Sequence, residues 1–136
     1  MSHLPTEILK TPRRDELGLT RIVNSAGVSI SLLPSGAIFA IEHTEGSRRI
    51  MINQSLASPI ASGMGRLYLR LGGTAPTIVP VIGSEAGLRV GASDDRFVWE
   101  GEHSGARHRV TLWLHAHSNA WLWRLDVVNS RDSELP

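Results

Sequence analysis

The sequence predicts an all-β protein built as an antiparallel β-sandwich. Apolar and polar residues alternate with a period of two in many short segments, which is the pattern of strands with one buried face. Gly, Pro, Ser and Asn separate these segments at short intervals, as they do in the turns of a meander. No apolar stripe with helical spacing occurs outside residues 1–18, which we interpret as a linker or flexible arm. The remaining residues, 19–136, are enough for one domain with its own core.

Four predicted strands form the first half of this domain. Turn residues separate the four segments, which are LTRIVN, VSISLLP, AIFAIEHT and RRIMINQ. In the second segment, Val28, Ile30 and Leu32 share one face and serines occupy the other, so this strand should bury one side. The stretch of residues 55–65 that follows has small residues and no stable period, and it is predicted to be an irregular loop.

The second half contains the remaining predicted strands, and the last three of them carry all four tryptophans. The segments are RLYLRL, TIVPVIG, GLRVGA, RFVWEGEH, ARHRVTLWLHAH and NAWLWRLDVVN. RLYLRL has the clearest alternation, because its leucines face one way while Tyr68 and Arg70 face the other. TIVPVIG should lie at an edge or a bulge, since Pro80 cannot donate a hydrogen bond to a neighbouring strand.

The last segment predicts a strand that needs a neighbour. Trp121, Trp123, Leu125 and Val127 form one continuous stripe, and the residues after them, NSRDSELP, have the pattern of a turn with no further strand. We therefore expect a β-sandwich that is truncated at its C-terminal end. Its expected partners are further C-terminal domains or a second subunit.

Composition and charge exclude several classes of function. The 14 Lys and Arg against 13 Asp and Glu give a net charge of +1, too little to favour nucleic acid. The absence of cysteine excludes disulfides and thiolate ligands or nucleophiles. No apolar stretch approaches the length of a membrane span, and the N-terminus lacks the apolar core of a secretory signal. We expect a cytoplasmic protein with neither nucleic acid nor membrane as a partner.

Five residues are candidates for contact with a ligand. Trp113, His115 and His117 alternate along one predicted strand and should therefore share a face. Indole rings stack on the apolar faces of sugars, so this face could contact carbohydrate. Tyr68 and Arg70, on the solvent side of RLYLRL, are further candidates. The alternative stays open that the histidines lie on an ordinary solvated face and that the tryptophans fill the core.

The same residues offer little for metal binding or catalysis. Zinc needs at least three protein ligands, and His103, His108 or Asp126 could join the two histidines only if the chain folds back on itself. Glu100 and Glu102 share a face, so they cannot easily lie on opposite sides of a glycosidic bond. Motifs for a nucleophilic serine, a phosphate-binding loop or a zinc protease are absent. We expect no metal, no cofactor and no catalytic residue.

A longer pattern resembles a known family. The succession SGAIFAIEH, RRIMINQSLASPIASGMGRLYLRL, PVIGSEA and WEGEHSGARHRVTLWLHAHSNAWLWRLDVVNS is similar to the N-terminal β-sandwich of the cellobiose-phosphorylase-like enzymes of glycoside hydrolase family 94. The similarity is greatest with their 1,2-β-oligoglucan phosphorylase branch and spans residues 19–136. Its most specific parts are I-N-Q followed by L-Y-L-R, and V-T-L-x-L followed by W-L-W-R-L-D-V-V-N.

The resemblance implies a galactose-mutarotase-like module, part of a supersandwich, in a larger enzyme. In that family an (α/α)₆ barrel carries the catalytic groups and cleaves β-glucosidic bonds by inverting phosphorolysis. No catalytic position falls within this sequence, so the implied role is non-catalytic: structural, in contact with β-glucan or oligosaccharide, or in contact with a subunit. Two alternatives are an autonomous carbohydrate-binding module and an interaction domain that adds its last strand to a partner.

Overall fold

The computed structural model describes residues 14–53, 56, 58, 63–83 and 89–129, and these residues are all-β, as predicted. Within these ranges, no helix has the length and apolar composition that crossing a membrane requires. Ten strands occur in the described residues, and each falls within a segment predicted as a strand except that β3 extends one residue further, to Glu45. They are β1 (Thr20–Val23), β2 (Val28–Leu32), β3 (Ile38–Glu45), β4 (Arg48–Met51), β5 (Tyr68–Leu71), β6 (Thr77–Pro80), β7 (Arg89–Ala92), β8 (Arg96–His103), β9 (Ala106–Leu114) and β10 (Trp121–Asn129).

The strands form three antiparallel sheets. The N-terminal sheet has the order β1-β2-β3-β4, and the C-terminal sheet has the order β10-β9-β8-β7. A hairpin of β5 and β6 forms the third sheet, so Pro80 lies in an edge strand as expected. Neighbours in each sheet are consecutive in sequence, because the short turns allow each strand to pair with the one before it.

One hydrophobic core joins the two four-stranded sheets. The N-terminal sheet contributes the predicted inward face of β2, and the C-terminal sheet contributes alternate residues of β8 and β9. The hairpin adds Val79, with Leu69 and Leu71 packed against the cluster. The largest fully buried side chains are Trp99, Phe97, Ile22, Ile30, Leu32, Ile38, Ile41 and Leu112.

Trp99 fixes the contact between the β2–β3 turn and the C-terminal sheet. Its indole Nε1 donates a hydrogen bond of 2.8 Å to the carbonyl oxygen of Gly36 in the core. Gly36 has φ +84°, and a Cβ there would lie 2.9 Å from Val90 Cγ2 and 3.1 Å from the indole nitrogen. Only glycine combines this backbone conformation with so close an approach.

The asparagine of the I-N-Q motif completes β3. Asn53 is buried, and its Oδ1 accepts a hydrogen bond of 2.8 Å from the backbone N–H of Ile41. Its Nδ2 donates to the carbonyl oxygen of Phe39 at 3.2 Å. Both backbone groups lie where β3 extends past β4, so the side chain satisfies groups that a strand would otherwise pair.

Ordered structure is already present before β1. Arg14 forms an isolated bridge with Thr20, and Asp15 Oδ1 accepts hydrogen bonds from the N–H groups of Leu17 and Leu19 at 2.9 and 2.8 Å. Residues 14–19 thus form a closed turn at the start of the domain. Residues 1–13 of the predicted arm, most of the predicted loop 55–65 and residues 130–136 lie outside the described residues.

Candidate functional site

The structure does not place Trp113, His115 and His117 on one strand face. β9 ends at Leu114, where its last pair with β10 is formed, and both histidines lie exposed in the loop that follows. The prediction of a shared face was wrong because the alternating pattern continues past the point where the partner strand ends. Ligand contact by these residues stays a prediction.

The two histidines instead connect the two main sheets. Ser25 Oγ, in the β1–β2 turn, lies 2.9 Å from His117 Nδ1. Asn24 Nδ2 donates hydrogen bonds to the carbonyl oxygens of His115 and Ser118 at 2.7 and 2.8 Å. These contacts hold the β1–β2 turn against the β9–β10 loop across more than ninety residues of sequence.

Trp113 lies half-buried on the outer face of β9 and carries an arginine on its ring. The guanidinium carbon of Arg96 is 5.2 Å from the ring centroid, within the range of a cation–π contact. Arg96 also binds Asp95, with its Nε 2.8 Å from Oδ1, and this hydrogen bond lowers the pKa of the Asp95 carboxyl. One face of the indole is therefore already occupied by the protein itself.

Tyr68 and Arg70 lie apart from Trp113. They are exposed on the outer side of β5, where Tyr68 pairs with Pro80 and Arg70 with Ile78 of β6. The hairpin is a separate sheet from the one that carries Trp113. The five sequence candidates thus fall into three places: the outer face of β9, the β9–β10 loop and the hairpin.

The acidic pair of β8 is used in ion pairs. Glu100 and Glu102 share the outer face, as predicted, and lie opposite Arg109 and Arg107 of β9. Arg109 Nε donates to Glu100 Oε1 at 2.6 Å, and the Arg109 side chain is almost fully buried. Glu100 is thus held within the sheet, whereas Glu102 lies 3.9 Å from Arg107 in an exposed pair that contributes little. Among the residues that the structure describes, no group of three His, Asp or Glu side chains could hold a metal ion.

His108, which the sequence offered only as a zinc ligand, lies in the interior. It is 2% exposed, and neither ring nitrogen has a hydrogen-bond partner within the described ranges of the chain. Burial, and secondly the charge of His103, lower the pKa of His108 below its ordinary value. The imidazole is therefore held in its neutral form. Its alternation with Val110 and Leu112 along β9 was the signal that could have placed it inward.

The inward face of β10 is the largest departure from a closed sandwich. Trp123, Leu125 and Val127 are 42%, 40% and 43% exposed. The residues opposite them on β9 are Leu112, Val110 and His108, and all three of these are buried. The exposed fraction of the inward side chains therefore rises sharply from β9 to its neighbour β10, although both strands contribute to the same face of the sheet.

Trp123 shows that this exposed face belongs to the core. Its ring stacks on the buried Trp99, with centroids 5.9 Å apart and an interplanar angle of 22°. Stacked aromatic pairs of this kind add to the energy of area burial. The core thus extends to β10. The N-terminal sheet does not cover Trp123, Leu125 and Val127, and these three residues form the border of the core.

The fold and this border define a small all-β domain with an apolar strand at the edge of its C-terminal sheet. Comparison with known protein families assigns it more closely. The chain belongs to the SOGP N-terminal domain family, whose model matches residues 31–135, from within β2 to beyond the end of β10. No curated protein matches the chain.

This match corrects the family and the function expected from the sequence. The family that matches is the SOGP N-terminal domain and not a glycoside hydrolase family 94 domain, and no relative's name supports a phosphorylase. The expected carbohydrate-active role, with its glycosyltransferase and carbohydrate-binding attributes, loses its support with that assignment. The motifs behind it are structural here: Asn53 of I-N-Q completes β3, and W-L-W-R-L-D-V-V-N is β10.

Proposed function

We propose that this domain is a non-catalytic structural unit that buries the inward face of β10 against further polypeptide. The observation that carries the proposal is the exposure of Trp123, Leu125 and Val127 on the face that continues the core. Exposed single apolar residues are common, but an apolar stripe contiguous with a core is typical of a surface that another protein segment covers.

The energy available at this face suits an interface. Full burial of a large apolar side chain contributes about 1.5–3 kcal/mol. Covering the exposed two-fifths of three such residues therefore contributes on the order of 2–3 kcal/mol, before any backbone pairing at the strand edge. A partner that also pairs with the edge would add to this.

The charged groups support a structural rather than a catalytic role. Five carboxylates of the described residues lie within ion-pair distance of an arginine, as is typical of charges that stabilise a sheet surface. The pairs are Glu42–Arg49, Asp95–Arg96, Glu100–Arg109, Glu102–Arg107 and Asp126–Arg124.

The description of the family supports the kind of partner. The matched family is named as an N-terminal domain, which describes a domain that more polypeptide follows. The surface that covers β10 is accordingly another domain of a longer protein or a second subunit.

Binding of the dye 1-anilinonaphthalene-8-sulfonate to the folded chain tests the proposal. We expect fluorescence enhancement with the original sequence and loss of about half or more of it with the double substitution Leu125→Thr and Val127→Thr. Threonine keeps the strand propensity of the position, so folding should persist and can be checked by circular dichroism.

The matched control is Leu122→Thr, which changes the most exposed leucine of β10 on its outer face, at 62% exposure. This control should bind the dye as the original chain does. Equal binding by the original chain and the inward double variant would contradict the proposal.

A further inference from the structure

The outer edge of β10 is long and regular. β10 is the last strand of the C-terminal sheet, and no strand of the described residues pairs with its backbone on the edge away from β9. Its register with β9 runs without interruption from the pair of Trp121 and Leu114 to the pair of Asn129 and Ala106. Proteins block such edges with proline, charged side chains, bulges or short length. β10 has no proline and no bulge over its nine residues, and its two charged residues, Arg124 and Asp126, pair with each other.

The sequence of β10 is complementary to itself. If two copies pair antiparallel with Leu125 opposite Leu125, Trp123 lies opposite Val127 on the inward face. On the outer face, Arg124 then lies opposite Asp126, and Leu122 lies opposite Val128. From residue 122 to residue 128, apolar residues meet apolar residues and a cation meets an anion, which are the favourable cross-strand pairs. The end pair places Trp121 opposite Asn129.

The charges select this register over its neighbours. The two nearest registers that keep the faces aligned are centred on Asp126 or on Arg124. They place Asp126 opposite Asp126 or Arg124 opposite Arg124, and like charges in directly opposite positions destabilise a sheet. A shift of one strand by a single residue places the apolar stripe of one copy beside the outer face of the other. Among the registers that keep the faces aligned, only the one centred on Leu125 pairs Arg124 with Asp126.

The existing ion pair is positioned to take part. Arg124 Nη2 lies 2.8 Å from Asp126 Oδ1 within one strand, and the two side chains are 58% and 22% exposed. A second copy would place its own pair beside this one in the opposite order. Four charges of alternating sign would then surround the two-fold axis.

We infer that a second copy of this chain covers the edge of β10, by antiparallel pairing of the two β10 strands about a two-fold axis at Leu125. The inference rests on the proposed function, because the pairing places the apolar stripe of one copy beside that of the other, with Trp123 against Val127. It joins two four-stranded sheets into one continuous sheet through an isologous interface, in which the same residues contribute from each copy. The partner is recognised by its own β10.

Charge reversal at the axis provides the test. Arg124→Asp places two aspartates opposite two aspartates in a dimer, and Asp126→Arg places arginine opposite arginine. Sedimentation equilibrium of the original chain should show a dimer, and each variant alone should dissociate at least about tenfold more readily. An equimolar mixture of the two variants should restore association, because every charge then lies opposite its complement.

Two controls keep this test interpretable. Arg89→Asp reverses a charge on β7, at the other edge of the same sheet, and should leave the dimer unchanged. Circular dichroism and thermal unfolding of each variant show whether it folds. The recovery in the mixture cannot come from unfolded protein, so it supports the register directly.

The outcomes separate this inference from the proposed function. A monomeric original chain, or variants that neither weaken the dimer nor complement each other, would overturn pairing through β10. Dye binding at the inward face in such a monomer would leave the proposed structural role standing. Monomeric full-length protein with β10 amides protected from hydrogen exchange would identify a strand of another domain as the occupant and would also overturn the inference.

Discussion

β4 and β10 are both edge strands, and each has one side with which no strand of the described residues pairs. The two strands differ in how far they expose that side to pairing with another chain. β4 has only four residues and begins with Arg48 and Arg49, so its exposed backbone is short and flanked by charge. β10 has nine residues and carries an apolar stripe on its inward face. Short, charged edges resist pairing with other chains, and long apolar ones favour it. Both edges expose apolar side chains, since Ile50 and Met51 of β4 are each 46% exposed. The comparison teaches that the two edges differ in length and in whether the exposed apolar residues continue the core.

The ion pair at the edge of β4 is more closed to solvent than the ion pair on β10. Arg49 binds the buried Glu42 through both carboxylate oxygens at 2.6 Å, and this hydrogen bonding raises the pKa of Arg49. That charge is used within its own sheet, because the carboxylate it binds is closed to solvent. The pair of Arg124 and Asp126 lies at the border and is more open, so it can be shared with an incoming strand.

The largest expected effect comes from breaking the sheet that carries β4. Gly27 has φ +86°, and a Cβ at this position would lie 2.2 Å from the carbonyl oxygen of Thr44 in β3. We expect Gly27→Ala to lower the free energy of unfolding by about 2–4 kcal/mol, measured by urea denaturation. Because both sheets share one core, the protection of β10 amides should fall with it.

Gly46→Ala is the matched control, since Gly46 also has positive φ, at +59°, but no atom lies within 4 Å of its Cβ position. Gly46→Ala should lower the free energy of unfolding by about 1 kcal/mol or less, because it introduces backbone strain but no steric clash. Persistent protection of β10 in the Gly27 variant would show instead that the two edges belong to independently stable units.

A medium effect is expected from truncating the apolar face of β10. Trp123→Ala removes the ring stacked on Trp99, and we expect a loss of about 2 kcal/mol, less than for a fully buried tryptophan because Trp123 is partly exposed. Met51→Ala removes an equally exposed side chain from β4 and should cost about 0.5 kcal/mol. Equal costs in thermal unfolding would remove the energetic difference between the two edges.

The smallest expected effect is a pH dependence of the free energy of unfolding, caused by His108 next to β10. His108 lies opposite Val127, and its pKa in the folded protein is below the ordinary value of 6.5. The unfolded state therefore binds more protons as the pH falls below that value, and the free energy of unfolding decreases. The stabilisation is complete above pH 6.5 and is lost as the pH falls towards the folded-state pKa.

His108→Leu should flatten this dependence between neutral and mildly acidic pH, as measured by urea denaturation. His103→Gln, which removes only the secondary cause of the shift, should retain most of it. A His108 variant with the slope of the original chain would assign the dependence to another group.

Much of the fold could be predicted because its strands alternate. Most of the ten strands lie in segments whose apolar residues recur at every second position, and Gly, Ser, Asp or Asn mark the turns between them. The sequence alone could not show where β9 ends, since His115 and His117 continue the pattern of Trp113 after β10 has ceased to pair. Strand length in a sheet is set by the neighbour, and that information is not local.

The site was harder to predict, because its contacts join distant residues. Asn24 reaches carbonyl groups of the β9–β10 loop, and Asn53 replaces a strand partner for β3. The I-N-Q motif drew attention to Asn53, but neither its role nor that of Asn24 follows from the period-two pattern, because both residues bind backbone groups of other segments. The apolar stripe of β10 was visible in the sequence, but only the structure shows that Leu125 and its neighbours are left uncovered by the N-terminal sheet.

The stacking of Trp99 and Trp123 has an optical consequence. Two nearly parallel indoles at this separation couple their electronic transitions, and one ring is sealed from solvent while the other faces it. Displacing water from the outer ring alters the coupled pair as a whole. The near-ultraviolet dichroism of the unlabelled chain therefore carries a built-in signal for whether anything rests against its last strand.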